Sequence, residues 1–313
     1  MEMILRSLTL DLDLLKGLSS KLIFSHHENN YTGAVKRLNA LRQQLTSLDW
    51  AATPAFTING LKREELIATN SAYLHELYFD VLGGDGVLPS CGLSSALERD
   101  FGSVAQWQTE FTALAKAMGG TSGWALLSWS AREGRLINHW ASDHTQLLAG
   151  ATLILALDMY EHAYHMDFGA KAAAYVDAFM QNLNWDSIYR RYGAAVAADA
   201  AIWAVEVAAS MHVEPATQII DVRRAQFFAE GKDMLPGAQW RDPSQVGNWS
   251  KELNQSHPIL IYCVHGLDIG RSTALSLRAR GFDARFLAGG IESWREAGLP
   301  LQAKPADIGT MQT

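Results

Sequence analysis

Between Ser19 and Gln44 the apolar residues Leu22, Val35, Leu38 and Leu41 are spaced to share one side of a helix, with His26 available on that side. Asn59–Leu82 repeats the helical pattern until Gly83, Gly84, Gly86 and Pro89 break it. Together they predict a helical hairpin, entered from an arm of mixed leucines and short polar steps over residues 1–20. Leu93–Met118 reads as one or two further helices, with Phe101-Gly102-Ser103 as the break. After Gly119-Gly120 the period changes: Trp124–Ser130 and Arg135–Ala141 alternate around an Arg132-Glu133-Gly134 turn, the pattern of a β-hairpin. An unbroken apolar run, Leu153–Leu157, follows, then helix again through Asn182, and Asn184-Trp185 closes the unit near Tyr192. Gly193–Val213 is alanine-rich with sparse anchors (Ile202, Trp203, Val207) and reads as a linker helix. After Pro215 the character shifts to short strands at Gln218–Val222 and Pro258–Cys263, a helix over Ser272–Arg280, a strand and turn within Gly281–Gly290, and a helix over Ile291–Ala297. That alternation predicts a small parallel α/β domain, with a tail from Pro300.

Composition narrows the class. A chain of 313 residues is long for one core, and 48% hydrophobic against 19% charged residues excludes wholesale disorder. A net charge of −7 argues against nucleic-acid binding or an anionic membrane surface. No run approaches a membrane span, and no cationic start with an apolar core precedes Ser25. Two distant cysteines, Cys91 and Cys263, suit a reducing cytoplasm rather than a disulfide framework.

The chemistry concentrates after Leu157. Asp158, Glu161 and His162 crowd the end of an apolar run, with Tyr160, Tyr164 and His165 close by. Buried carboxylate and imidazole need a partner, and a metal ion accepts both. The same residues also suit a capped helix start after a strand. Two more histidines, His26 and His75, lie on the paired helices, where each alone suits a core position; face to face, they would complete a four-ligand site with Asp158 and His162. Three imidazoles and one carboxylate favour a redox-active first-row ion over Mg²⁺ or Ca²⁺, and the lack of thiolate argues against structural zinc.

DMYEHAYHMD resembles the D-x-W-E-H-A-Y metal signature of the iron/manganese superoxide dismutases. The family's order recurs across residues 1–192: His26 ahead of Leu38-Asn39, then His75, Thr121-Ser122-Gly123-Trp124, Asp158 with His162, and Asn184-Trp185. The resemblance implies an α+β fold, a helical hairpin followed by an α/β subdomain with a small antiparallel sheet. It implies His26, His75, Asp158 and His162 as ligands of one iron or manganese ion per subunit, iron preferred. It also implies superoxide as substrate, disproportionated to O₂ and H₂O₂, and a homodimer through the Glu161/His162 region, where Glu161 pairs with the partner's bound histidine.

The glutamine that usually holds the solvent ligand is absent: Ser71 and Ala141-Ser142-Asp143-His144-Thr145 occupy its two regions, which assigns the role to His144, or failing that Asp143. Ala34 replaces the gateway tyrosine, with Tyr31 one turn earlier as the substitute, while Asn30 and His165 replace the family's other gateway pair. Tyr78 matches a tyrosine behind the ligands, and Trp124, Trp129 and Tyr160 suit the apolar wall, though as aromatics they suit plain core positions equally. The cation near Ala172 is missing, with Lys171 beside it; local Lys or Arg must steer superoxide towards a negatively charged protein.

IIDVR (Ile219–Arg223), MLPGA (Met234–Ala238), IYCVHG (Ile261–Gly266) and FLAGGIESW (Phe286–Trp294) resemble the rhodanese-like domains. The resemblance implies a parallel-sheet domain, an Asp221–Arg223 ion pair, and Cys263 as a nucleophile whose pKa loop amides and a helix start would lower. Persulfide transfer and a thiol-sensing or docking role both remain open. The loop is one residue longer than usual and carries Asp268, which would oppose an anionic substrate. Ile269 stands where a cysteine phosphatase needs arginine. Both modules resemble versions found in chromate-resistance proteins, which implies a place in oxyanion stress.

The resulting expectation is a cytoplasmic multidomain enzyme. Its segments are a dismutase hairpin (1–88), a dismutase α/β subdomain (89–195), a linker helix (196–213), a rhodanese-like α/β domain (214–302) and a tail (303–313). The alternative is a metal-binding dismutase fold with little turnover, acting in chromate stress through the rhodanese-like module.

Overall fold

The computed structural model describes residues 2–210 and 216–305, with the side chains of 209 and 210 left aside. Chain contacts divide it into two compact units: Met1–Pro89, Gln108–Ser128 and Ile137–Arg190 in the first; Ser90–Trp107, Trp129–Leu136 and Arg191–Thr313 in the second.

In the first unit an extended arm leads to α1 (Ser20–Ser25), capped by the Ser19 hydroxyl, which accepts from Leu22 N–H at 3.1 Å. The helix widens into a π-helical turn over His26–Tyr31, then continues as α2 (Thr32–Thr46) and returns along α3 (Ala55–Asp80). π segments of this kind gather at functional sites. Leu22, Ile23, Leu38, Leu74 and Tyr78 are fully buried and form the hairpin's apolar seam.

The Gly102 break separates α4 (Gly92–Phe101) from α5 (Val104–Ala117). The hairpin strands β1 (Trp124–Ser130) and β2 (Arg135–Ala141) then join β3 (Ala151–Asp158) in the order β2-β1-β3. Beyond β3 come α6 (His165–Phe168), α7 (Ala172–Met180) and α8 (Trp185–Ala200).

The second unit holds a five-stranded parallel sheet. Its elements are β4 (Ala204–Val205), α9 (Val207–Ser210), β5 (Gln218–Asp221), α10 (Ala225–Glu230), β6 (Asp233–Met234), β7 (Gln239–Trp240), α11 (Val246–Trp249), β8 (Ile259–Tyr262), α12 (Asp268–Ala279), β9 (Ala284–Leu287), α13 (Gly290–Glu296) and β10 (Gln302–Ala303). The sheet order is β4-β9-β8-β5-β7, with Gln218 opposite Ile259 and Ala204 opposite Phe286. β8 is buried at all four positions, as a central parallel strand requires.

Two expected segments are built differently. Residues 196–210 are not one linker helix: α8 ends at Ala200, and Ala204–Val205 turns into the edge strand beside β9. A two-residue strand among alanines is too short to leave a period. The expected tail contributes β10, with Gln302 opposite Met234 in an antiparallel pair. Residues 211–213 of the expected linker, the first two of the expected domain (214 and 215) and 306–313 of the tail lie outside the described residues.

Candidate metal centre and the Cys263 loop

Four side chains from three parts of the first unit converge. His26 comes from the π turn after α1, His75 from the middle of α3, Asp158 from the end of β3 and His162 from the short turn that follows. One ligand-type atom from each lies within 4.8 Å of the others. Asp158 Oδ2 is the hub, 3.0 Å from His26 Nε2, 3.1 Å from His162 Nε2 and 3.5 Å from His75 Nε2. Its other oxygen accepts the Tyr160 N–H at 2.8 Å. His26 and Asp158 are wholly buried and His75 nearly so, while the His162 side chain keeps 29% of its surface.

The α3 helix fixes one tautomer. His75 Nδ1 lies 2.6 Å from the Ser71 carbonyl one turn back and donates its hydrogen there, so Nε2 carries a lone pair. That nitrogen is buried and has no hydrogen-bond partner. A lone pair aimed at a carboxylate, with two further imidazoles on the same oxygen, leaves a cation as the missing component. The set therefore fits a first-row transition ion, with all four residues as its holders.

Electrostatics agree. Burial holds the His75 imidazole down to about 3, and burial lowers His26 as well despite Asp158 beside it. Burial alone would raise the Asp158 carboxyl, yet hydrogen bonds from His162 and His26 overcome it and keep the group ionised. In metal-free protein, the unfolded chain takes up protons on these rings below about pH 6.5, whereas folded His75 does not until about pH 3. Depressed histidines thus contribute stability that is full above the unfolded value and lost as pH falls through that window. The urea midpoint of metal-free protein should drop steadily between about pH 7 and pH 4; a flat profile would mean the rings titrate alike in both states.

His144, the expected solvent holder, stands beside the cluster with its ring centroid 6.3 Å from that of His75. Trp124 Nε1–H donates to His144 Nδ1 at 2.9 Å, so the neutral ring carries its hydrogen on Nε2. Burial lowers the His144 pKa, which favours that neutral form. Asn70 Nδ2 donates to the His144 carbonyl at 2.5 Å and pins the segment. Neither the Trp124 bond nor Asn70 was foreseen; a polar residue on the His75 side of α3, next to Ser71, was the available signal. Asp143 is used otherwise: its Oδ1 accepts from Thr145 N and Oγ1 at 2.7 and 2.6 Å in a local turn.

Trp124 meets His75 edge-on at 5.3 Å, and Gly123 makes that placement possible, because a Cβ there would fall 2.1 Å from the Ala141 carbonyl oxygen. Tyr160 stacks on both His144 and His162, at 5.0 and 5.5 Å. Tyr78 packs on His26 at 4.8 Å and accepts the Tyr175 hydroxyl at 3.2 Å. Trp129 is not part of this wall: it belongs to the second unit, where its N–H donates to Asp199 at 2.9 Å.

Tyr31 is placed away from the gateway role. Four residues after His27, it lies over that ring at 5.1 Å rather than over His26. Its hydroxyl accepts from Arg6 N–H at 3.0 Å and donates to Glu76 at 2.8 Å, inside a cleft of about 280 Å³ beside the N-terminal arm. Burial pushes its pKa up to about 12. Asn30 is half-buried, and Glu161, His165 and Lys171 are exposed.

In the second unit Cys263 follows β8 and is 5% exposed. Backbone N–H groups of Gly270, Leu267 and Gly266 do point at its sulfur, but burial outweighs them and pushes the thiol up. The expected thiolate is therefore not what this closed loop holds. Asp221 and Arg223 form the expected buried pair, with Arg223 Nε 3.0 and 2.9 Å from the two carboxylate oxygens and the Tyr262 hydroxyl donating to Asp221 at 2.9 Å. Cys91 caps α4 in a reciprocal box with Ser94, a structural role.

Fold and site together define a scaffold whose His/His/Asp/His set could hold one metal ion, joined to a parallel α/β module. Residues 89–191 match the iron/manganese superoxide dismutase C-terminal domain, and residues 204–297 match the rhodanese-like domain. Over 182 residues the chain is 67% identical to "Superoxide dismutase [Fe]" of Cupriavidus metallidurans, covering 58% of this chain and 92% of that protein. It is 34% identical over 192 residues to "Superoxide dismutase [Fe]" of Aquifex pyrophilus, covering 59% and 88%. "Superoxide dismutase [Mn] 2" of Halobacterium salinarum is 33% identical over 193 residues, covering 60% and 94%. The chain belongs to the iron/manganese superoxide dismutase family and carries a rhodanese-like domain at its C-terminal side.

Proposed function

We propose that the protein is a superoxide dismutase converting two superoxide ions and two protons to O₂ and H₂O₂. The observation that carries this is the buried His26, His75, Asp158 and His162 set around one carboxylate oxygen. Iron is the proposed ion, supported by the 67% identity to an iron enzyme; when bound, it supplies a one-electron couple that superoxide alternately reduces and oxidises. The chain's own residues do the rest. Ser71 and Asp158 orient the imidazoles, Trp124 and Tyr160 close the wall against bulk water, and His144 holds a hydrogen on Nε2 for solvent at the centre. Elemental analysis of purified protein, alongside specific activity after reconstitution with each metal, tests the reading. Bound iron without turnover would favour a metal-binding protein that has lost activity.

His144→Ala should retain metal yet shift its reduction potential and lower turnover, since losing a partner beside a metal centre commonly costs about 10–100-fold in activity or affinity. An unchanged potential and unchanged turnover would remove His144 from the role.

We also infer a homodimer through the Glu161/His162 region. Supporting it, His162 is half-exposed although its neighbours in the cluster are buried, and Glu161, His165 and Met166 beside it are exposed. No helix among the described residues is long and apolar enough to cross a membrane, and a cytoplasmic location suits the two free thiols. For the second module the proposal is sulfur transfer at Cys263. The Cys263 thiol would give up its proton as its sulfur attacks the outer atom of a thiosulfate-like donor, forming Cys263–S–S⁻ while the donor's S–S bond breaks, its electron pair leaves with sulfite and the proton is taken up as hydrogensulfite.

A further inference from the structure

The helix α12 whose first turn cradles Cys263 is gripped, within the second unit, by parts of the dismutase sequence. Gly92, the first residue of α4, lies against the Asp268 carboxylate so closely that a Cβ there would fall 1.3 Å from Oδ2. Beside it Arg224 Nη1 donates to Ser90 Oγ at 2.8 Å. The β1–β2 turn seats on the same helix further along: at Gly134, with φ +61°, a Cβ would fall 2.6 Å from Ser276 Cα and 2.7 Å from the Leu275 carbonyl oxygen. Both approaches need the absence of a side chain. Residues 92–97 of α4 are buried.

Asp268 lies in sequence between Leu267 and Gly270, whose N–H groups point at Cys263 Sγ. Holding Asp268 on α4 therefore holds the loop shut over the thiol. It also accounts for an acidic residue in a loop meant for anions, because the carboxylate faces the positive start of a ten-residue helix.

We propose that α4 is a built-in clasp on the rhodanese-like loop: the Gly92–Asp268 contact keeps Cys263 closed to solvent, and release of that contact opens it. The inference rests on Cys263 as the module's nucleophile, but its test separates the two. In full-length, metal-loaded protein, iodoacetamide labelling of Cys263 is followed by peptide mass spectrometry. The native chain should label at least about a hundredfold more slowly than the unfolded chain, and Asp268→Ala and Gly92→Val should each raise the rate at least about tenfold, as local opening does. Far-UV circular dichroism and metal content should not change. Ser90→Ala, which removes only the Arg224 bond, should give a smaller rise and serves if either variant fails to fold. Labelling of the native protein at the unfolded rate would overturn the clasp, as would folded variants labelling at the native rate. Faster labelling with no thiosulfate-dependent thiocyanate formed from cyanide supports the clasp and overturns sulfur transfer.

Discussion

Asp158→Asn should yield a folded protein that has lost its metal and its dismutase activity together. The carboxylate lies within reach of all three imidazoles, at 3.0, 3.1 and 3.5 Å. Losing an outer partner of a metal ligand costs about 10–100-fold in affinity, so losing the anionic ligand itself should exceed that. Metal per chain after purification and superoxide turnover should fall in step. Asp158→Ala should also destabilise the metal-free chain, because the buried His26 imidazole loses its acceptor at about 1–3 kcal/mol. A variant that kept its metal while losing activity would move Asp158 from holding the ion to some other task.

Arg223→Met should be the most damaging single change to the second unit. It strips the cation from Asp221, which is fully buried and also receives the Tyr262 hydroxyl. Breaking one side of a buried pair costs about 3–5 kcal/mol. Arg223 also donates to the Asp233 carbonyl at 2.9 Å, at the strand that pairs with β10. Urea unfolding should show the loss, and Asp221→Ala combined with Arg223→Met should cost less than the sum of the two singles. A loss below about 1 kcal/mol would mean water reaches the pair and screens it.

The hairpin, the α4–α5 break, the three short strands and the four convergent residues were all legible in the chain. Each rests on local periodicity or on a side chain whose chemistry demands a partner. What escaped detection depended on where bonds go rather than which residues are present. Tyr31 looked available one turn from the gateway, yet its hydroxyl is taken by Arg6 and Glu76 from distant segments. Cys263 carries the expected amides, but burial, which no motif spells out, decides its pKa. The tautomer of His144 is set by an indole N–H twenty residues earlier in the chain. Trp129 shares a strand with Trp124 but belongs to the other unit and answers to Asp199.

The two-residue strand Ala204–Val205 bears on how the chain can be cut. It covers the outer edge of β9, and Val205 accepts the Ala288 N–H at 2.9 Å. A fragment begun after Pro215 would present β9 as a bare edge, an open template for pairing with its own copies. Such a piece would be prone to self-association for a reason unrelated to its chemistry. Fragments meant to report on Cys263 alone should therefore begin upstream of Ala204.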